Sequence, residues 1–411
     1  MRGHIRKRGK KYCVVVDIGR DESGKRVQKW YSYNTEKEAE RALADKIAKI
    51  MDGNYVPPSE QTVAQFLNEW LEDKKSTVKL TTWEGYQSKV VHHVIPYIGH
   101  LKLKDLRTHQ IHKMLSTIRQ GGRYDNRDIR VSEQTVLHIY RITNDAFKCA
   151  VNWGLIAQNP CDGVQKPRPK SYDADIWTLE QAQTFLNHCI AVPMYPVFLL
   201  LFSTGMRIGE ILGLRWKDVN FEDQIISVKK DLARTKEKGL VIQDVKTEAS
   251  KRILPMPIHV VNVLQGVKLL QEKHKRVLGN AYDSSFDLVC CTIKGTPYFL
   301  SNIKGKWNAI TLRAQLPRIR IHDARHTYAS IMVHQGVDVK TLQSLMGHAD
   351  PLTTLKVYAK VMPDATREAV NTFSQNLTLK DWLPSAPKRY QDSMSNDTLW
   401  VKEVHESMIT A

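Results

Sequence analysis

The chain has 411 residues, and its 61 Lys and Arg against 43 Asp and Glu give a formal net charge of +18 at pH 7. This surplus indicates an acidic polymer as partner, although a basic enzyme with a merely solvated surface is the plainer alternative. The most apolar stretch, residues 191–202, is short and interrupted by two prolines, and the basic N-terminus lacks an apolar segment, so neither a membrane span nor a secretory signal is predicted. The six cysteines form no C-x-x-C pair, which is typical of reduced thiols in a cytoplasmic protein.

Residues 1–55 are predicted to form a small β-rich domain. Two β-rich runs flank the turn signal at residues 21–24, and an amphipathic helix follows. Thr35 and Glu38 have the spacing of a capping box, which fixes the start of that helix. Lys and Arg outnumber Asp and Glu two to one over residues 1–50. This surplus and the predicted sheet favour a contact with DNA, either by a strand ribbon in the major groove or by phosphate anchoring, and the alternative is a merely solvated basic arm.

Residues 60–167 show apolar residues three and four positions apart throughout, separated by polar turns. This pattern predicts a bundle of four or five helices. Pro57-Pro58 marks the linker before the bundle, and the Pro-rich, charged segment Lys166–Ile176 marks the linker after it.

Residues 174–375 are predicted to form a larger, mostly α domain with a small antiparallel sheet. Thr178 and Gln181 cap its first helix. The segments "QIISVKK", "GLVIQDV" and "SKRILPM" have the composition of strands of that sheet. Residues 376–411 form a weakly patterned tail, so the predicted fold class is a multidomain α+β protein.

The stretch "STGMRIGEILGLRW", residues 203–216, places Arg207 beside a core. Gly205 predicts a left-handed helix stop, and Arg207 opens a second helix whose apolar residues recur at helical spacing. A guanidinium is costly there unless an anion pairs with it. Glu210, three positions on, is one candidate partner, and a bound phosphate at the helix start is another.

Three further stretches of this domain contain polar residues that its core does not require. They are "VKTEASKRILPM", "IHDARHTYAS" and "SLMGHADPLTTLKVYAKV". The residues that they contribute are Lys246, His322, Arg325, His348 and Tyr358. His322 and Arg325 stand one helical turn apart and therefore share a face.

Each of these residues also has a plain structural interpretation. Lys246 alone is typical of a surface hairpin, His348 could finish a helix, and Tyr358 alone is typical of a half-buried core tyrosine. His322-Asp323 alone could indicate a metal-binding pair, with His326, His334 and Asp350 as further candidate ligands. Only the joint occurrence favours another chemistry.

These residues fit together around a phosphodiester. Attack at phosphorus builds negative charge on the non-bridging oxygens, which two fixed guanidiniums can clamp. A tyrosine is a poor nucleophile unless cations lower its pKa or a base takes its proton. A lysine near such a cationic cluster can supply a proton to the leaving oxygen.

The same pattern resembles the tyrosine recombinases of the phage integrase family. "TGMRIGEILGLRW", "KT-x-A-S-x-R", "HDARHTYAS" and "MGH…Y" are similar to the signature boxes of that family, with Ala324 and Met346 standing where leucine is common. By the same resemblance, residues 60–167 correspond to a SAM-like core-binding domain and residues 1–55 to an arm-type DNA-binding domain.

The resemblance implies a role for each candidate residue. Tyr358 would attack the scissile phosphate to form a 3′-phosphotyrosine, while Arg207 and Arg325 hold that phosphate. Lys246 would protonate the leaving 5′-oxygen, and His322 would act as general base. His348 would donate a hydrogen bond to the phosphate, and Glu210 would orient Arg207. Because the bond energy is conserved in the phosphotyrosine, neither metal nor ATP is implied.

The resemblance also implies the partners. These are double-stranded DNA at core and arm sites, a homotetramer on that DNA, an accessory DNA-bending protein and an excisionase, in the bacterial cytoplasm at the nucleoid. The element integrated and excised would be a prophage or a conjugative transposon. The alternatives are a type IB topoisomerase-like enzyme, a catalytically inactive DNA-binding regulator and a metal phosphohydrolase.

Overall fold

The computed structural model describes residues 3–20, 26–51, 60–121, 131–170, 172, 174–245, 247–355 and 357–358. These residues fall into two compact units. One lies within residues 1–172 and includes 235–237, and the other takes the described residues from 174 to 358 apart from 235–237.

The N-terminal segment is a three-stranded antiparallel sheet followed by a helix. Strands β1 (Gly3–Arg8), β2 (Lys11–Arg20) and β3 (Arg26–Tyr33) pair in that order, and helix α1 spans Glu36–Met51. Val14 and Val16 are fully buried with Ala39 of α1, and Ile5 packs against them. The predicted capping box is confirmed, because Thr35 and Glu38 exchange backbone-to-side-chain hydrogen bonds of 3.3 and 3.4 Å.

The sequence analysis predicted two β-rich runs here and missed strand β1. Five of its six residues are glycine, histidine or basic, so only Ile5 supplies an apolar signal. The strand forms nevertheless, because it pairs with β2 along its whole length after a turn at Gly9, whose φ of 58° suits glycine. The predicted turn at residues 21–24 lies outside the described residues.

The second segment is helical, as predicted. Its helices are α2 (Val63–Thr77), α3 (Leu80–His93), the single turn α4 (Ile95–Ile98), α5 (Thr108–Arg119) and α6 (Glu133–Asn152). Phe66 and Trp70 of α2 and Phe147 of α6 are fully buried in its core. Thr62 caps α2 through a capping box with Gln65.

The third segment begins with three helices, α7 (Leu179–Cys189), α8 (Tyr195–Thr204) and α9 (Ile208–Leu212). Five strands follow: β4 (Val219–Asn220), β5 (Ile225–Val228), β6 (Lys230–Thr235), β7 (Gly239–Asp244) and β8 (Arg252–Pro255). The last helices are α10 (Ile258–Leu278), α11 (Leu300–Arg313), α12 (Asp323–His334) and α13 (Val339–Met346). The capping box of Thr178 and Gln181 at the start of α7 is confirmed.

The strands of this segment form two sheets, whereas the sequence predicted one. Strand β5 pairs antiparallel with both β4 and β8, while β6 and β7 pair only with each other. The predicted strand "GLVIQDV" is therefore separate from "QIISVKK" and "SKRILPM". Strands β6 and β7 pair with each other because three residues connect them, a length that suits an antiparallel hairpin.

An aromatic cluster forms the centre of the third segment. Trp177 stacks on Trp307 with ring centroids 5.1 Å apart, and Phe185 lies 4.4 Å from Trp307. The backbone N–H of Trp177 donates to Thr327 of α12 at 3.1 Å, which ties the start of this segment to the helix that carries Arg325. In the part of the chain that the structure describes, no helix is long and apolar enough to cross a membrane.

Candidate active site

The sequence around Arg207 folds as predicted. Helix α8 ends at Gly205, which adopts φ 61°, and Arg207 stands at the N-terminal cap of α9. A side chain at residue 205 would meet the Tyr328 ring, since a Cβ would lie 2.3 Å from its Cδ1. The left-handed turn and the close packing therefore both require glycine at residue 205. The Arg207 side chain that follows this turn lines a cavity.

Glu210 is the structural partner of Arg207. The Arg207 Nη1 donates to Glu210 Oε1 at 2.6 Å, and its backbone N–H donates to Oε2 at 3.0 Å. Burial by itself raises the pKa of Glu210, but the hydrogen bonds and charges of Arg252 and Arg207 outweigh it and leave the pKa below its usual value. The carboxylate is therefore ionised and holds the guanidinium in one orientation.

Arg325 lies in the first turn of α12 with its side chain buried, 3 % exposed. Its guanidinium donates to the carbonyl of Gly205 at 2.5 Å and to the carbonyl of Met346. Both carbonyls lie at helix C-termini, where they lack intrahelical partners and carry the negative end of the helix dipole. Burial and the neighbouring Arg207 lower the pKa of Arg325 to about 9, so it stays protonated at neutral pH.

Two histidines complete the cationic cavity. His348 follows the left-handed Gly347 at the end of α13, and its Nδ1 is 2.9 Å from the hydroxyl of the buried Thr354. Burial and then Arg325 and Arg207 lower the pKa of His348 to about 4. Loss of bulk solvent and the nearby His326 likewise lower the pKa of His322. Both imidazoles are therefore neutral at pH 7.

These side chains line one open cavity of about 500 Å³. Arg207, Glu210, His322, Arg325 and His348 all contribute to its wall. The structure thus brings together residues that are up to 141 positions apart in the chain. Residue 246 lies outside the described residues, so the role of Lys246 stays a prediction.

Tyr358 is described but does not line the cavity. Its ring packs beside Tyr328, Leu342 and Met346, and its hydroxyl donates to the carbonyl of Val337. Burial and then the charge of Asp338 raise the pKa of Tyr358 above its ordinary value. In this conformation the phenol is therefore a weak nucleophile that is held away from Arg207 and Arg325.

The structure adds residues to which the sequence analysis gave no role in phosphodiester chemistry. Ser250 and Thr247 supply hydroxyls to the cavity wall, and His326 lies in the wall with its ring centroid 5.6 Å from that of His322. Arg252 binds the same carboxylate as Arg207. The only sequence signal for Arg252 was its place at the end of the box "KT-x-A-S-x-R", which says nothing about what it contacts.

The metal-site alternative for His322-Asp323 receives no support from the described residues. The Asp323 carboxylate is fully buried and accepts two hydrogen bonds of 2.9 Å from Arg320. Among the residues that the structure describes, no group of three or more His, Cys, Asp and Glu side chains could hold a metal ion.

Three family models match the chain in order. The Arm DNA-binding domain matches residues 4–50, the N-terminal SAM-like domain of phage integrases matches residues 62–118, and the phage integrase family matches residues 177–364. A tyrosine recombinase XerC-like protein of Caldanaerobacter subterraneus is 30% identical over 393 residues, which cover 90% of this chain and 97% of that relative. The chain belongs to the phage integrase family. It is a site-specific tyrosine recombinase, an enzyme that cuts and rejoins DNA.

Other relatives of this recombinase come from mobile elements. The transposase of transposon Tn916 from Enterococcus faecalis is 28% identical over 254 residues, which cover 58% of this chain and 62% of that protein. The solved structure of the Tn1549 transposon integrase in complex with transposon right-end DNA superposes with a TM-score of 0.63 at 22% identity, covering 76% of this chain and 100% of that one. A lambda integrase tetramer bound to a Holliday junction gives 0.51 at 17% identity, covering 87% and 94%. These structures share the fold of this chain.

Proposed function

We propose that this recombinase cleaves DNA through a covalent 3′-phosphotyrosine at Tyr358 and thereby integrates and excises a mobile element. The observation that supports this most directly is the convergence of Arg207 and Arg325 on one open cavity with two neutral histidines. Two fixed cations match the charge that grows on the non-bridging oxygens of a phosphodiester under attack. Lys246 is the proposed acid for the leaving 5′-oxygen.

The protonation states suit the proposed roles of the histidines. A neutral His322 can accept the proton of the attacking phenol, because its pKa is lowered rather than raised. If the Thr354 hydroxyl donates to Nδ1 of His348, the ring proton is on Nε2 and can be donated to a phosphate oxygen. His348 thus serves as a neutral donor beside two permanent cations.

The position of Tyr358 means that attack requires a conformational change. The hydroxyl must leave the Val337 carbonyl before it reaches a phosphate held in the cavity. We infer that DNA binding supplies this change, because only the DNA-bound state places a charge in the cavity that the two arginines can bind. Free protein would therefore hold the nucleophile away from the cations.

The nucleophile is tested with Tyr358→Phe, which removes only the hydroxyl. We expect unchanged DNA affinity and no covalent protein–DNA adduct on a nicked suicide substrate that carries the attachment core site, in buffer with EDTA. The wild-type protein is the positive control for an SDS-resistant adduct. An adduct formed by the Phe variant would overturn the assignment of Tyr358.

Adduct formation followed by strand exchange also separates the alternatives. A regulator without catalysis forms no adduct. A topoisomerase-like enzyme forms one but relaxes supercoiled DNA without exchanging strands between two sites. Recombination of paired attachment sites in the same assay is the result that we expect.

The N-terminal sheet is the proposed contact with arm-type sites. His4, Arg6 and Arg8 alternate along β1 with Ile5, which packs toward α1, and all three are exposed. Trp30 is 46% exposed, and the Arg8 guanidinium lies 5.4 Å from its ring centroid. A cationic face with an aromatic ring, opposite the helix, is suited to a DNA groove and its phosphates.

The domain limits and partners complete the proposal. We propose an arm-binding domain at 1–55, a core-binding domain at 60–167, a catalytic domain at 174–375 and a tail at 376–411, supported by the separate cores of the first three segments. The active assembly is proposed to be a homotetramer on DNA, helped by a DNA-bending protein and an excisionase. A DNA substrate and six free thiols support a cytoplasmic, nucleoid-associated location.

A further inference from the structure

Arg252, at the start of β8, is a buried arginine that does not line the cavity. Its side chain is 5% exposed, so its charge must be matched by nearby acceptors. The Nη2 donates to Glu210 Oε2 at 2.9 Å, the Nη1 donates to the Ser250 carbonyl at 3.0 Å, and the Nε donates to the Leu345 carbonyl at 2.7 Å. One guanidinium therefore joins three separate segments of the fold.

Each of the three segments supports a residue of the cavity wall. Glu210 holds the Arg207 guanidinium, and the Ser250 hydroxyl is 3.4 Å from Arg207 Nη1. Leu345 is the penultimate residue of α13, and the carbonyls of the next two residues, Met346 and Gly347, accept hydrogen bonds from Arg325 and Arg207. Arg252 thus shares Glu210 with Arg207, and it binds the carbonyl of Leu345, the residue before the Met346 whose carbonyl binds Arg325.

The shared carboxylate determines how Arg252 acts. The Glu210 side chain is 2% exposed. Its Oε1 pairs with the Arg207 side chain, and its Oε2 pairs with the Arg252 side chain. Two cations on one buried carboxylate keep it ionised and fix its rotation. Without Arg252, Oε2 would retain only the Arg207 backbone N–H, and the plane of the carboxylate would be held by Arg207 alone.

The turn before His348 packs directly on the same side chain. A Cβ at residue 347 would lie 3.1 Å from Cδ and 3.2 Å from Nη1 of Arg252. Gly347 adopts φ 61° and so meets both demands, left-handed backbone and close approach. Arg252 therefore supports the loop that carries His348 as well as the carboxylate that carries Arg207.

We propose that Arg252 is a positioning residue for DNA cleavage, which aligns the Arg207 guanidinium through Glu210 and braces the turn before His348. This inference rests on the proposed phosphate-binding role of Arg207. A lysine cannot replace it fully, because an ammonium lacks the planar fork that reaches three acceptors in different directions.

The test measures DNA affinity and the rate of covalent adduct formation on saturating suicide substrate for Arg252→Met and Arg252→Lys in the full-length protein. Misplacement of a clamp by about 1 Å costs on the order of 100-fold in rate, so we expect a loss of that size for Met and a smaller loss for Lys, with DNA affinity unchanged. Arg215→Met is the matched control, because Arg215 also pairs with a carboxylate, that of Asp218, and does not line the cavity.

A double-mutant cycle with Glu210→Gln shows whether Arg252 acts through Glu210. We expect the Arg252 substitution to have little further effect in the Glu210→Gln background, because residues that act through a shared contact are not additive. Losses that multiply, or equal rates for wild type and both Arg252 variants, would overturn the proposal. If Arg252→Met does not accumulate as folded protein, Arg252→Lys takes its place in the cycle.

The proposed function can fail separately from this inference. If the wild-type protein forms no adduct, or Tyr358→Phe still forms one, the nucleophile assignment is wrong. If the wild type forms the adduct and Arg252→Met forms it at the same rate, only the positioning role of Arg252 is wrong.

Discussion

At the scale of single residues, the site is a set of buried charges whose partners are all identifiable. Arg325 donates hydrogen bonds to helix-terminal carbonyls. Glu210 accepts hydrogen bonds from two arginines, and Asp323 accepts them from Arg320. Buried charges persist only when they are paired and hydrogen-bonded. The contacts within the protein therefore account for the geometry of the arginines before any phosphate is bound.

Arg207 and Arg215 form a natural pair for testing the clamp. Each arginine pairs with a carboxylate three residues later, Glu210 and Asp218 respectively, but only Arg207 lines the cavity. We expect Arg207→Ala to slow adduct formation by the equivalent of about 3 kcal/mol, because a preorganised donor to the developing charge is lost. Arg215→Ala should leave the rate unchanged, and similar losses in both variants would point to a general folding defect instead.

His348 makes folding stability depend on pH. Its pKa is about 4 in the folded protein against about 6.5 in an unfolded chain. The unfolded state therefore binds the proton more readily than the folded state. The folding stability that depends on neutral His348 is fully present above pH 6.5 and is lost as the pH falls toward 4. We expect the melting temperature of the wild type to drop more between pH 7.5 and 5 than that of His348→Gln. Equal pH dependence in the two proteins would contradict the lowered pKa.

At the scale of elements, helix ends rather than helix faces build the cavity. Helices α8 and α13 both end at a left-handed glycine, Gly205 and Gly347, and the carbonyls beside these turns accept the arginine donors. Helix α9 begins at Arg207. Because helix termini have unpaired backbone groups, they can bind a guanidinium that a helix interior could not.

Gly205 and Gly336 separate backbone strain from steric overlap. Both follow a helix with positive φ, 61° and 80°, but a Cβ at residue 336 meets nothing within 4 Å, whereas one at 205 would overlap Tyr328. We expect Gly336→Ala to lower the free energy of unfolding by about 1 kcal/mol for the left-handed conformation alone, because the Val337 N–H donates to the Met332 carbonyl as in a left-handed helix stop. Gly205→Ala should cost roughly 1–3 kcal/mol more from overpacking. Urea unfolding of both variants checks this, and equal losses would exclude the overlap.

At the scale of the whole molecule, the three segments have separate hydrophobic cores. The N-terminal sheet packs around Val14, the helical bundle around Trp70, and the third segment around Trp177 and Trp307. The described residues of the cavity all come from the third segment. The proposed cleavage chemistry and the proposed additional DNA contact therefore belong to different parts of the chain.

Deletion of residues 1–51 tests this division. We expect the truncated protein to form the adduct on a short core-site substrate at nearly the wild-type rate, because it keeps the whole cavity. Recombination of full-length attachment sites should collapse, since the arm contacts that assemble the complex are gone. The control compares the affinity of the isolated N-terminal segment for arm repeats with its affinity for random DNA at the same salt concentration. Normal recombination by the truncated protein would contradict the arm-binding role and would reduce the basic segment to a non-specific DNA tether.

The sequence by itself determined the features that depend on neighbours a few positions away. The capping boxes at Thr35 and Thr178, the helix stop at Gly205 and the Arg207–Glu210 pair are all confirmed, because each is closed by hydrogen bonds or backbone angles within a few residues. The helical bundle was predictable for the same reason, since apolar spacing is a local property. Strand β1 was missed because its pairing with β2, rather than its composition, makes it a strand.

Only the tertiary structure decided which distant groups meet. Arg252 binds a carboxylate 42 positions away and a carbonyl 93 positions away, and no local spacing predicts either contact. The separation of β6 and β7 from the other sheet and the contact of Tyr358 with Val337 are likewise outcomes of packing. The recognisable boxes of the sequence indicated candidate side chains for the chemistry, and that assignment stays a prediction. The orientation of these side chains depends on buried hydrogen bonds between segments, which exist only once the core has formed.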